Sequence, residues 1–141
     1  MPRPAKDVAL GLLARREHSL AELRQKLRQR GYASEEIDQA LAELSSDGYQ
    51  SETRAAQARV DAGLRRGHGP QRIRAALGAA NLSKAEVMID PDVDWLQRAR
   101  ELLHRKFGNE PPAEAKEYAR RARFLQARGY ESDVIRKALR E

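Results

Sequence analysis

The stretch LRRGHGPQRIRAAL, Leu64 to Leu77, decides how this chain is read. Its opening, LRRGHGP, sets two arginines, two glycines and a histidine just before a helix start. That invites a phosphate-gripping loop, because the unpaired N–H groups and the dipole at a helix N-terminus both favour an anion. Placed beneath ARREHSLAELRQKL, Ala14 to Leu27, the stretch aligns without a gap at an offset of 50 residues (64 against 14). Arg65 and Arg66 fall on Arg15 and Arg16, His68 on His18, Ile73 on Leu23, Arg74 on Arg24 and Leu77 on Leu27. Gly69-Pro70 falls on Ser19-Leu20, so one copy opens its helix with a capping serine and the other with proline in the first turn. Nothing like the Gly-Lys-Ser/Thr end of a phosphate loop follows. The glycines mark a repeat junction.

The repeat extends in both directions. Ser19 and Glu22 form a capping box, and Leu20, Leu23 and Leu27 recur at helical spacing up to a stop at Gly31. A preceding helix carries Val8, Leu12 and Leu13. A following one starts at Ser34, lines up Ile37, Ala40, Leu41 and Leu44, and ends near Asp47-Gly48. LGAANLSKAEV (77–87) matches LRQRGYASEEI (27–37), with Asn81 in place of Gly31 and a one-residue slip before the serine. LQARGYESDVIRKAL (125–139) is a third copy, Gly129-Tyr130 echoing Gly31-Tyr32. Ser34, Ser83 and Ser132 stand 49 residues apart, and each is expected to open a short third helix. IDPDVDW (89–95) supplies a stop and restart, and FGNEPPAEA (107–115) a longer connection. The expected fold is all-α: three tandem three-helix repeats at 1–49, 50–91 and 92–141, forming an elongated, curved array in which each repeat leans on its neighbours.

Composition agrees. Of 141 residues, 34% are charged and 5% aromatic, so a large single core is not expected, and the apolar residues are mostly Ala and Leu, both strong helix formers. A net charge of +6 suits an acidic partner, nucleic acid or an acidic protein face. The absence of cysteine excludes disulfides and thiolate chemistry. No apolar run reaches the roughly 20 residues that span a bilayer, and the N-terminus is too charged for a signal peptide. A cytoplasmic monomer without membrane attachment is expected.

No catalytic or metal-binding pattern emerges. His18, His68 and His104 are the only histidines, and the first two sit at equivalent positions beside helix ends. No His-x-x-x-His or carboxylate–histidine cluster occurs. Acids tend to precede bases by four residues, as in Glu22–Lys26, Asp61–Arg65, Asp94–Arg98, Glu101–Arg105 and Glu117–Arg121. That spacing supports helix surfaces rather than acid–base chemistry. No catalytic residue, cofactor or metal site is expected, and the chain is read as not an enzyme. What recurs is surface arginine: Arg15, Arg16, Arg24, Arg28 and Arg30, then Arg65, Arg66, Arg72 and Arg74, then Arg120, Arg121, Arg123 and Arg128. They serve either as a solvated face or as a groove lining that meets an acidic partner.

SLAELRQKLRQRGY, with the following LAELSSDGY, resembles the first repeat of the RecX family of bacterial recombination regulators. RIRAAL with its flanks resembles the middle repeat and RARFLQARGYESDVIRKAL the last, so the likeness covers essentially the whole chain. The resemblance implies a non-enzymatic modulator of RecA that binds the recombinase filament on single-stranded DNA. It implies a block on filament extension and damped ATPase, strand-exchange and coprotease activities; weak direct DNA contact stands beside it as a separate option. One stretch departs. After the Gly-Tyr junction, family members carry a leucine, two acids and then an aromatic residue, whereas Gln50-Ser51-Glu52-Thr53-Arg54-Ala55 keeps one acid and no aromatic. Ser51 is still placed to cap a helix. Two other classes stand beside this reading: a helix-turn-helix DNA binder, disfavoured by the acidic third helices SEEIDQALAEL and SKAEVMID, and a general protein-binding scaffold.

Overall fold

A computed structural model describes residues 3–87 and 89–140. Among them the chain is helical and holds no strand, as expected. The helices are α1 Ala5–Arg15, α2 Leu20–Gln29, α3 Ser34–Ser46, α4 Glu52–Arg65, α5 Pro70–Ala79, α6 Trp95–Phe107, α7 Ala115–Ala127 and α8 Ser132–Leu139.

Local chemistry sets their ends. The capping box forms: the Glu22 N–H donates to Ser19 Oγ at 3.1 Å, and the Ser19 N–H donates to Glu22 Oε1 at 3.0 Å. The repeat equivalence at the second helix end is geometric as well as sequential. Gly31, Asn81 and Gly129 all take the left-handed conformation, with φ of 89°, 58° and 94°. In each case the next N–H reaches back five residues: Tyr32 to Leu27 O at 3.2 Å, Leu82 to Leu77 O at 2.7 Å and Tyr130 to Leu125 O at 3.2 Å. This closure satisfies carbonyls that a helix end leaves orphaned, and Asn is the residue after Gly that tolerates it best.

One expected helix does not form. Ser83 and Lys84 form a turn, with Ala85 N–H on Leu82 O at 3.1 Å, and Glu86 and Val87 are irregular, in place of a helix opened by Ser83; Met88, within the expected helix, lies outside the described residues. Pro91 ends any helix nearby, and Val87 and Ile89 are β-branched, so the segment is too short to offset the cost of helix nucleation.

The chain resolves into two compact units, residues 3–59 with 77–87 and residues 60–76 with 89–140. In the first, α1, α2 and α3 bury Ala5, Val8, Ala9, Leu23, Leu27, Ile37, Ala40, Leu41 and Leu44 in one core. In the second, α6, α7 and α8 bury Ala99, Leu102, Leu103, Leu125, Tyr130, Ile135, Ala138 and Leu139. Trp95 meets Tyr130 edge-on at 6.3 Å between ring centroids, and Phe107 meets Phe124 edge-on at 5.4 Å. Each unit thus contains a three-helix bundle with its own core.

Candidate partner-binding site

The Leu64–Ile73 stretch lies in the second unit, and its anion-ready backbone is already occupied. The Gly69 N–H donates to Arg128 O at 2.7 Å and the Gln71 N–H to Gly129 O at 3.0 Å. The start of α5 therefore receives the carbonyls that end α7, positive dipole end to negative. Only glycine permits this approach: a Cβ on Gly69 would lie 2.5 Å from Gly129 O and 2.8 Å from Tyr130 N. The junction reading of the glycines holds, and the acceptor is protein rather than phosphate.

The equivalent junction in the first unit is served by carboxylates. The Leu20 N–H donates to Glu52 Oε1 at 2.8 Å, and Gln50 Nε2 donates to the same oxygen at 2.8 Å and to His18 O at 3.3 Å. Ser45 Oγ donates to Gln50 Oε1 at 2.8 Å. Ser51 caps α4 as expected, accepting from the Arg54 N–H at 3.2 Å. The departure at Gln50–Glu52 thus has a structural role, and the one acid it keeps closes α2. Burial pushes the Glu22 carboxyl upward, but the Ser19 N–H, Arg16 and Arg59 outweigh it and hold the group at about 2. Arg16 and Arg59 approach its Oε2 at 3.0 and 2.6 Å. His18 is buried, with Nδ1 3.0 Å from Arg16 O and Nε2 3.3 Å from Lys26 Nζ. Burial, with Arg16 and Lys26 nearby, lowers its pKa despite the bond to the Arg16 carbonyl. Its neutral tautomer with hydrogen on Nδ1 suits both contacts.

The recurrent arginines divide by what they touch. Several are committed to the fold. Arg16 pairs with Glu22, Arg24 with Asp38 at 3.3 Å, and its repeat equivalent Arg74 with Glu131 at 3.1 Å. Arg72 donates to Ala127 O at 3.4 Å. Arg120 and Arg121 both reach Glu117 and lie over the Phe107 ring, and Arg128 lies over Phe124 at 5.1 Å. Arg15, Arg28, Arg30, Arg65, Arg66 and Arg123 are exposed and form no ion pair among the described residues. Of the expected helix-surface pairs, Glu117–Arg121 forms at 3.2 Å. Asp94 instead caps α6, accepting from the Gln97 N–H at 3.0 Å, because an N-cap carboxylate has orphan N–H groups closer than a base four residues on.

Three of the arginines meet in one cleft of the second unit. Its volume is about 470 Å³, and Arg65 at the end of α4, Arg66 just after it, Arg98, Arg105 and Lys106 from α6, and Arg128 at the end of α7 all line it. Glu101 is the one carboxylate of that lining among the described residues. Arg98 donates to Leu64 O, setting a cation on the last carbonyls of α4, and its Nε is buried with no partner among the described residues. Tyr130 O–H donates to Gly67 O at 3.2 Å, bracing the floor. The crowding of charge reaches His68: burial lowers its pKa, and Arg72, Arg66 and Arg128 lower it further. Arg98, Arg105 and Lys106 were not singled out by sequence, although their i, i+7, i+8 spacing puts them on one face of α6. Reading Arg98 and Arg105 as partners of Asp94 and Glu101 hid the signal.

Among the described residues no group of His, Asp and Glu side chains could hold a metal ion, and no helix is long and apolar enough to cross a membrane. The class so defined is an all-helical, strongly basic protein built on three-helix bundles. Family models sharpen this. The first three-helix domain of RecX matches residues 5–44 and the third three-helix domain of RecX matches residues 92–139. The chain is 44% identical over 132 residues to the regulatory protein RecX of Acidithiobacillus ferrooxidans, covering 94% of this chain and 86% of that protein. It is 42% identical over 142 residues to the regulatory protein RecX of Ectopseudomonas mendocina, covering 99% and 95%. Its fold is that of the crystal structure of RecX from Lactobacillus salivarius, with a TM-score of 0.72, 16% identity and coverage of 96% and 92%. The chain belongs to the RecX family of regulatory proteins.

Proposed function

We propose that this chain is a non-enzymatic regulator of the RecA recombinase, acting in the cytoplasm on the RecA filament formed on single-stranded DNA. It binds the filament, halts its extension, and thereby damps ATPase, strand exchange and coprotease activity in DNA repair and the SOS response. The observation that carries this reading is the near end-to-end identity with proteins named for regulation, 44% over 94% of the chain. The unpaired arginines support it, since exposed cations favour an acidic partner without providing catalysis. We further propose that the functional organisation is three repeats, 1–49, 50–91 and 92–141. The matched left-handed closures at Gly31, Asn81 and Gly129 support that division, the described residues of the middle repeat holding two helices and a turn.

The test is capture of RecA by the tagged full chain, with and without single-stranded DNA and nucleotide, followed by RecA's DNA-dependent ATPase. Capture that requires DNA and nucleotide, together with inhibition below one chain per RecA protomer, is expected. Failure to bind RecA under every condition overturns the proposal.

A further inference from the structure

We infer that the α4–α6–α7 cleft of the second unit is a docking site for an acidic peptide segment of a protein partner. It deepens the filament reading, on which it rests for the partner's identity. Six cations converge on about 470 Å³ against the single carboxylate Glu101. Arg65, Arg66, Arg105 and Lys106 are exposed and form no ion pair among the described residues, so only Glu101 in the lining offsets their mutual repulsion. A ligand that brings two or more carboxylates into the concavity neutralises that charge, and guanidinium groups bind carboxylates bidentately.

The rest of the lining selects peptide over a nucleic-acid strand. Leu64, half-buried, stands among the cations and offers apolar contact to a side chain beside the acids. Single-strand binding sites combine a cationic track with free aromatic faces for base stacking. Here the aromatic faces are taken: Arg128 lies over Phe124, Phe107 abuts it edge-on, and Tyr130 is 1% exposed.

The probe is a fluorescent ten-residue peptide of Asp and Glu containing two leucines, titrated with the full chain. The test variant is Arg105→Gln with Lys106→Gln, an adjacent exposed pair in the last turn of α6. Arg136→Gln with Lys137→Gln, the matching exposed pair in the last turn of α8, is the control. Far-UV circular dichroism verifies that both variants keep their helix content. We expect the α6 variant to bind the peptide at least tenfold more weakly and the α8 variant less than twofold more weakly. Equal losses in both variants would reduce the effect to net charge and overturn the site. An oligothymidylate that displaces the peptide, and is itself lost with the α6 variant, would overturn it in favour of nucleic acid. RecA inhibition is measured separately: if wild-type protein binds the peptide through α6 yet leaves RecA unaffected, the filament reading fails and the cleft assignment stands.

Discussion

Replacing Gly69 by alanine tests whether the junction is held by the meeting of two backbones. The new Cβ would sit 2.5 Å from Gly129 O, 2.6 Å from its carbonyl carbon and 2.8 Å from Tyr130 N. All three are main-chain atoms, so no side chain can swing aside, and the α5 start must move away from the α7 end. That breaks the Gly69–Arg128 and Gln71–Gly129 hydrogen bonds, each contributing about 0.5–1.5 kcal/mol. Residual crowding adds about 1 kcal/mol or more, giving a total near 2–4 kcal/mol. The comparison is Gly31→Ala, where φ is +89° but nothing lies within 4 Å of the added Cβ, so its cost is the left-handed penalty of about 1–2 kcal/mol. Urea unfolding is followed by circular dichroism for both variants. For Gly69→Ala it is also followed by fluorescence of Trp95, the chain's single tryptophan, which packs against Tyr130. Gly69→Ala should lose more stability than Gly31→Ala, and adding Gly129→Ala should cost less than the sum of the two single changes, since the shared contact is already broken. If Gly69→Ala proves no costlier than Gly31→Ala, the backbone-contact argument is refuted.

Three further outcomes are expected. Glu22 is held at about 2 in the fold, below an unfolded value near 4.5, so it stabilises fully above that unfolded value and progressively less as pH falls toward 2. With the half-exposed Arg16 discounting the shift, Glu22→Gln should cost about 1–2 kcal/mol at neutral pH and flatten the acid limb of a stability–pH curve between about 5 and 2. His18, whose pKa is lowered by burial, should stay neutral in an NMR titration at pH values where an ordinary histidine is half protonated; its contribution to stability is present above the unfolded value of 6.5 and falls away below it. Against RecA's ATPase, Arg28→Glu with Arg66→Glu should weaken inhibition more than either single change, each single loss being about 0–1 kcal/mol, and wild-type inhibition should fall as salt rises. Equal inhibition by the double variant at every salt concentration would remove unpaired arginines from the mechanism.

The helices, their caps and the repeat phasing were legible in the sequence because each is a near-neighbour matter. The Ser19–Glu22 box spans three residues, and the left-handed closures at Gly31, Asn81 and Gly129 are fixed by one residue's backbone freedom and a hydrogen bond five residues back. Leucines at helical spacing placed the α2 and α3 faces that the first core buries. Tertiary structure decided the rest. The one exception is local: no helix opens at Ser83, because the segment before Pro91 is too short to offset helix nucleation. The occupant of the α5 start, a carbonyl pair 59 and 58 residues away (128 from 69, 129 from 71), could not be read from the junction itself. The same holds for the arginines. Arg24 and Arg74 look free in sequence yet answer to Asp38 and Glu131, while Arg98, Arg105 and Lys106 acquire a common cleft only when α4 and α7 are packed against α6. A side chain's charge is local, but what neutralises it, or leaves it waiting for a partner, is set by contacts between residues far apart in the chain.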